Sequence, residues 1–199
     1  MAALLAISDW IGVNMPILLE GRAEFSKEEE GFVSFMTSDS FPWFSLRATE
    51  NFPGLSHTFY KRTDTPETGE VWSQHTPAAE RIFRRICADN NIALRTIYRM
   101  AVNLTFADPS LHGDPHTDHS SFPHKVMLIY LNEFDAGDTW LFDAAGNVEA
   151  RVKPAIDKFV VFDGGMHANG FCKPQQKRIV FVVTFDGDVI PAEKLEAAE

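Results

Sequence analysis

The feature that most limits the fold of this chain is a run of short apolar segments between residues 93 and 186, with no helical pattern between them. The segments are rich in Val, Ile, Phe and Tyr and are separated by turn residues, a combination typical of β-strands. Consecutive short strands without helices indicate a sandwich or barrel rather than a parallel α/β sheet. Strands are predicted over 93–106, 125–131, 139–142, 148–152, 158–162 and 178–185, with a hairpin turn at Ala145-Gly146-Asn147.

The N-terminal half is predicted to mix helices and strands. Ser26 and Glu29 fit a capping box, in which each side chain satisfies a backbone N–H at the start of a helix, here over 27–37. Thr76-Pro77 fits an N-cap followed by the first residue of a helix over 77–89. The prediction is a single domain over 1–199, in which a support region precedes a β core. Further strands are predicted over 16–25, 44–49 and 57–62. The support region covers 1–92 and the β core covers 93–186.

Charge and composition argue against a nucleic-acid partner and against membrane attachment. The chain of 199 residues carries 18 basic and 28 acidic side chains, a net charge of -10. This charge disfavours a nucleic-acid partner, because affinity for phosphates comes largely from Lys and Arg. The longest N-terminal apolar stretch, 2–7, is far shorter than the ~20 residues of a membrane-spanning helix and lacks the basic flank of a secretory signal. Cys87 and Cys172 are predicted to be reduced thiols, so we expect a cytoplasmic protein without membrane attachment.

Histidines gather in one predicted loop between two strands. Four of the seven histidines fall within the segment LHGDPHTDHSSFPH: His112, His116, His119 and His124. Loops carried by rigid strands are where binding and catalytic residues tend to lie. This loop is therefore the first candidate for a functional site.

The tripeptide His116-Thr117-Asp118 suggests a metal site. In an extended segment alternate residues point to the same side, so His116 and Asp118 would converge. They need a third ligand, and His167 follows the next buried strand and a glycine turn. Two His and one carboxylate with open positions are the arrangement of non-haem Fe(II) oxygenases. The tripeptide alone also fits a solvated hydrogen-bonded pair, and the other three histidines of the loop are rivals that we interpret as loop residues.

From residue 99 to 186 the order of motifs resembles the Fe(II)/2-oxoglutarate-dependent oxygenases, particularly the prolyl-hydroxylase-like branch. The first element is HTD, followed by a strand ending in Tyr-Leu-Asn and by a turn similar to Gly-Gly-Glu-Thr, with Ala for the first Gly and Asp for Glu. The next is a Pro, an apolar strand and a His, followed by a closing strand with a basic residue. The matching segments are HTD, VMLIYLN, AGDT, VKPAIDKFVVFDGGMH and KRIVFVVTFD.

This resemblance implies a mainly β protein with flanking helices, folded as a double-stranded β-helix, the cupin-like jelly-roll. It implies Fe(II) held by His116, Asp118 and His167, with 2-oxoglutarate and O2 as co-substrates, and ascorbate as an optional addition. The products would be succinate, CO2 and a hydroxylated substrate. Because Asp118 supplies the carboxylate that related halogenases lack, hydroxylation or another oxidation is favoured over halogenation.

The resemblance also implies residues that bind 2-oxoglutarate. Arg178 matches the basic position, and the planar guanidinium suits a carboxylate because it donates two parallel hydrogen bonds. Tyr130 matches a Tyr that shares this carboxylate, and Asn103 is a third candidate on the preceding strand. Lys177 is the rival of Arg178, since neighbours on a strand point to opposite faces. The face of Arg178 carries smaller side chains, which leave room for a co-substrate.

Other readings of the sequence are a non-catalytic cupin-like protein that binds a metal or ligand, and a nucleic-acid demethylase with the same chemistry. Arg178 argues against the non-catalytic protein. The net negative charge argues against the nucleic-acid demethylase. The sequence does not identify the substrate: a peptidyl proline, an amino acid and a small metabolite all remain open, as does the oligomeric state. Trp43, Trp72 and Phe122 are better explained by packing than by a substrate mouth.

Overall fold

The structure is a computed structural model that describes residues 16–45 and 54–190. Within these residues the chain forms eleven strands and two helices. In chain order they are β1 (Ile17–Arg22), α1 (Lys27–Thr37), β2 (Phe44–Ser45), β3 (Gly54–Lys61), β4 (Glu70–Val71), α2 (Thr76–Asp89), β5 (Ile92–Phe106), β6 (Lys125–Tyr130), β7 (Thr139–Phe142), β8 (Val148–Val152), β9 (Lys158–Asp163), β10 (His167–Asn169) and β11 (Lys177–Val189).

Two antiparallel sheets form the framework. The larger sheet has the order β1-β9-β6-β11-β5-β3-β2, with β4 paired to β3, and the smaller sheet has the order β10-β7-β8. Strands β1, β2 and β3 from the first half of the chain therefore lie in the same sheet as the later strands. The mainly β jelly-roll predicted from the sequence is confirmed, whereas the single domain over 1–199 stays a prediction.

Strand β11 shows how the layers are built. Alternate side chains of a strand point to opposite faces of its sheet. Phe181 and Val183 belong to the core between the larger sheet and the helices. Val180 and Val182 belong to a second core with Tyr130, between the larger sheet and strands of the smaller one. The strand is buried on both faces, and its second face looks into the space between the sheets.

The helices cover the outer face of the larger sheet. Helix α1 begins with the predicted capping box, since Glu29 N donates to Ser26 Oγ and Ser26 N donates to the Glu29 carboxylate. Arg85 Nε of α2 donates to Glu29 Oε1 over 2.8 Å, which links the two helices. The predicted N-cap of α2 was wrong: Thr76 is its first helical residue, and its hydroxyl donates to the carbonyl oxygens of Ser73 and Phe59.

The element boundaries largely follow the predictions. The two-residue β4 and three-residue β10 were not predicted, because such short pairings have no alternation to read. Of the candidate 44–49, residues 44 and 45 form β2 and the remainder lies outside the described residues. Among the described residues, neither helix has the length and apolarity needed to cross a membrane.

Candidate active site

The loop before β6 joins the edge of the smaller sheet. His116 N donates to His167 O and His167 N donates to His116 O, each over 2.9 Å. A second bridge pairs His112 with Gly170. These backbone contacts bring two predicted ligands, 51 residues apart in sequence, to ring centroids 4.7 Å apart.

Backbone carbonyl groups fix which nitrogen of each ring is free. His116 Nδ1 lies 2.9 Å from Asp114 O, and His167 Nδ1 lies 2.9 Å from Gly165 O. A carbonyl oxygen only accepts, so Nδ1 carries the proton in both rings and Nε2 of a neutral ring keeps its lone pair. Metal-binding histidines are commonly oriented in this way.

Asp118 presents its two carboxylate oxygens to different partners. Arg62 Nη2 donates to Oδ1 over 2.7 Å and Arg99 Nη1 over 3.3 Å, while Oδ2 lies 3.5 Å from His167 Nε2. Burial alone would raise the pKa of this carboxyl, but Arg99, His167 and Arg62 outweigh it and hold the pKa well below its usual range. The arginines thus keep Asp118 ionised and leave Oδ2 directed at His167.

These donors fit Fe(II) in type but are not yet gathered around a point. Among residues 16–45 and 54–190, no three His, Cys, Asp or Glu side chains are arranged as a complete metal-binding group. Asp118 Oδ2 lies 3.5 Å from His167 Nε2, and the exposed ring of His116 has its centroid 4.7 Å from that of His167. Two imidazole lone pairs and one ionised carboxylate are the donor set of a non-haem Fe(II) site. The chemistry of the set therefore fits Fe(II).

The rival histidines are engaged elsewhere. His119 is buried, with Nε2 2.8 Å from Thr184 Oγ1 and Nδ1 3.1 Å from Thr63 O, so both nitrogens have partners. Burial and the nearby His124 lower its pKa to about 4. The His124 ring lies directly on Gly164, so close that no Cβ would fit there. His112 packs against Trp140, with ring centroids 4.7 Å apart.

Arg178 is a buried cation in the space between the sheets. It is 3% exposed, and its Nε donates to Gly137 O and its Nη2 to Thr139 Oγ1, each over 3.0 Å. Tyr130 OH shares a 2.8 Å hydrogen bond with the same Thr139 oxygen. Within the described residues no carboxylate forms an ion pair with Arg178, and burial lowers its pKa. Buried charges are normally paired, so this guanidinium has unfilled capacity for an anion.

Lys177 lies on the opposite face, as the alternation of the strand requires. Its Nζ lies 3.3 Å from Asp39 Oδ1, at the surface near the end of α1. Asn103 shares the inward face through its pairing with Val180, and its amide oxygen accepts from Ser56 Oγ over 2.8 Å. The structure therefore places Arg178, Tyr130 and Asn103 on the inner face of the larger sheet and Lys177 outside it.

Sequence reasoning missed Thr139, Arg62 and Arg99. Thr139 was quoted only as part of a turn, yet its hydroxyl is the common partner of Arg178 and Tyr130. The sequence did contain a signal for Arg99, because this charged residue lies on the same face of a predicted strand as Ala101 and Asn103. Arg62 had none, since it reaches Asp118 from a distant loop.

A cavity of about 300 Å³ opens next to Gly165 and Met166, the residues that precede His167, but none of the predicted site residues lines it. Its walls include Leu141, Phe162, Gly165 and Met166. Arg178 is not in these walls, so the cavity and the arginine lie at different parts of the space around the site. Its volume is at the lower end of the range for small-ligand pockets.

No protein-family model matches this chain, and no curated protein matches it. Solved structures do match. An oxidoreductase of the 2OG-Fe(II) oxygenase family from Burkholderia pseudomallei is 15% identical, with a TM-score of 0.61 over 84% of this chain and 83% of that one. A prolyl hydroxylase from Trichoplax adhaerens, solved with a hypoxia inducible factor peptide fragment, is 12% identical, with a TM-score of 0.58 over 94% and 88%.

A third match is an α-ketoglutarate-dependent non-heme epimerase, SnoN, from nogalamycin biosynthesis. It is 11% identical, with a TM-score of 0.53 over 84% of this chain and 78% of that one. At these identities the likeness shows a shared fold. The chain therefore has the fold of the 2OG-Fe(II) oxygenases, as the order of its motifs predicted.

Proposed function

We propose that this protein is a cytoplasmic Fe(II)- and 2-oxoglutarate-dependent dioxygenase. It would hydroxylate a small molecule or a peptide and release succinate and CO2. The observation that carries the proposal is Arg178, a buried cation that has no acidic ion-pair partner among residues 16–45 and 54–190 and lies in the same inter-sheet space as His167. A dicarboxylate co-substrate would supply the missing anion.

Each residue has a stated task in this proposal. His116, Asp118 and His167 would hold the iron, which together with 2-oxoglutarate and O2 supplies the oxidising chemistry when bound. Arg62 and Arg99 keep Asp118 ionised and oriented.

Arg178 would bind the distal carboxylate, with Thr139 fixing the guanidinium and Tyr130 adding a hydroxyl donor. The apolar side chains of the second core, such as Val180 and Leu128, exclude water from this end of the site.

A binding titration tests the assignment of the carboxylate anchor. 2-Oxoglutarate is titrated by calorimetry into protein loaded with Mn(II), which resists oxidation, for wild type, Arg178→Ala and Lys177→Ala. Removing one partner of a buried charge pair costs roughly 2–5 kcal/mol, so Arg178→Ala should weaken 2-oxoglutarate binding by between tens-fold and a few thousand-fold. Lys177→Ala is the matched control, and it should bind as wild type does.

Two results would contradict the proposal. A large loss in Lys177→Ala with a silent Arg178→Ala would reverse the assignment of the anchor. Absence of 2-oxoglutarate binding to the wild type would remove the proposed function itself.

Turnover is tested separately with a substrate screen. Succinate is measured with Fe(II), 2-oxoglutarate and ascorbate against amino acids, small metabolites and proline-containing peptides. The Trichoplax adhaerens structure, which contains a peptide, is the reason for including peptides. Binding of 2-oxoglutarate without succinate from any candidate would favour the alternative of a non-catalytic ligand-binding jelly-roll.

A further inference from the structure

Asn169 is a half-buried residue whose side-chain nitrogen is buried and has no hydrogen-bond partner among the described residues. Its Nδ2 atom is one of two buried side-chain polar atoms without a hydrogen bond in the described part of the chain, the other being His124 Nε2. The two cases differ, because the His124 ring is packed against Gly164. Buried amides are almost always hydrogen-bonded, so an unpaired one indicates a missing acceptor.

The position of Asn169 indicates where that acceptor lies. Asn169 follows His167 by two residues on β10, so both side chains point to the same face. On the neighbouring strand β7, Asn169 pairs directly with Thr139, the residue that fixes Arg178 and Tyr130. Directly opposite residues have Cβ atoms about 5 Å apart. Asn169 is therefore a neighbour of His167 along its own strand and of Thr139, the partner of Arg178, across the sheet.

We propose that the Asn169 amide donates a hydrogen bond to 2-oxoglutarate and so positions it between the metal ligands and Arg178. The inference rests on the proposed function. A carboxylate or keto oxygen is the acceptor that a lone NH2 group needs, and the co-substrate carries both kinds. Because the amide is neutral, it would orient 2-oxoglutarate without neutralising its charge. Removing the amide should therefore lower the affinity for 2-oxoglutarate less than removing Arg178 does.

The test compares Asn169→Leu and Asn169→Asp with wild type. Leu has a similar size and removes the unpaired polar atom, so the metal-free Asn169→Leu protein should melt at or above the wild-type temperature. Calorimetric affinity for Mn(II) alone should not change. Affinity of the Mn(II)-loaded protein for 2-oxoglutarate should fall roughly 10- to 100-fold, as expected for a hydrogen bond to a charged group. Asn169→Asp should lose more, because it places a carboxylate against the dicarboxylate.

Asn147→Ala serves as the control, since Asn147 lies in an exposed hairpin turn and bonds only Asp143. A lowered melting temperature of Asn169→Leu together with wild-type affinity for 2-oxoglutarate in Asn169→Asp would show a structural role and overturn the inference. Wild-type affinity in both variants would overturn it as well. If the wild type itself fails to bind 2-oxoglutarate, the proposed function fails first, which separates the two failures.

Discussion

Asp118 connects the stability of the folded chain to its chemistry. One oxygen is bound by two arginines and the other faces His167, so the same carboxylate neutralises Arg99 and, in the proposed function, would be a ligand of the metal. Arg99 is mostly buried whereas Arg62 is half-exposed, so Arg99 depends more than Arg62 on the ion pair with Asp118. His116, by contrast, is exposed and supports nothing in the core.

This difference predicts distinct effects for the two ligand variants. Both His116→Ala and Asp118→Ala should abolish iron binding and turnover, because each removes one of three ligands. Without metal, Asp118→Ala should lower the free energy of unfolding by roughly 3 kcal/mol, since it leaves a buried arginine unpaired. His116→Ala should change it by less than about 0.5 kcal/mol. Urea unfolding of the metal-free proteins measures both, and equal stabilities would contradict the assigned role of the arginines.

The turn between β6 and β7 builds the anchor for Arg178. Gly137 supplies the carbonyl that accepts from Arg178 Nε, and Thr139 supplies the hydroxyl. Ala136 and Gly137 both have positive φ, 60° and 72°. A Cβ on Gly137 would collide with the Phe134 ring, whereas Ala136 already bears the strain of a left-handed conformation.

The two positions should therefore respond in opposite ways. Ala136→Gly should raise the free energy of unfolding by about 1 kcal/mol, since glycine adopts positive φ without the steric cost of a Cβ. Gly137→Ala should destabilise the protein and weaken 2-oxoglutarate binding, because it displaces the carbonyl that holds Arg178. Thermal unfolding and the Mn(II) titration check both variants. An Ala136→Gly protein less stable than wild type would show that the turn is not strained.

Local patterns predicted the elements better than the contacts between them. Alternation and turn residues placed β5 and β6 within one residue, because each pattern is complete within its own segment, whereas β11 extends four residues beyond its predicted end at 185. The His–Asp–His set could be proposed from residue type and order. Arg62 and Asn169 could not, since their significance depends on which residue the fold places opposite them. The same reason explains Thr76, whose hydroxyl bonds Phe59 of β3 and Ser73 of the preceding loop rather than capping its own helix.

The chain as a whole is acidic, but three arginines lie around the proposed site. The chain carries a net charge of -10, yet Arg62, Arg99 and Arg178 face the site, with Asp118 as their one ion-pair partner among the described residues. Burying an unpaired cation costs free energy, and Arg178 has no ion-pair partner among the described residues, so this cost is relieved when an anion binds. A dianionic co-substrate should therefore stabilise the loaded protein more than the metal does alone.

Ligand linkage gives the size of this effect. A ligand that binds only the folded state at a hundredfold excess over its dissociation constant stabilises it by about 2.7 kcal/mol. For a chain of this length, each kcal/mol shifts the melting temperature by roughly 2–4 °C. Mn(II) with 2-oxoglutarate should thus raise it by roughly 5–10 °C, and 2-oxoglutarate alone by much less, because the metal supplies part of its binding site. Arg178→Ala should keep the shift due to Mn(II) and lose the part that 2-oxoglutarate adds. A full shift in melting temperature with 2-oxoglutarate but no metal would show that the dicarboxylate binds Arg178 independently of the three metal ligands. That result would contradict its proposed role as a co-substrate that binds together with the metal.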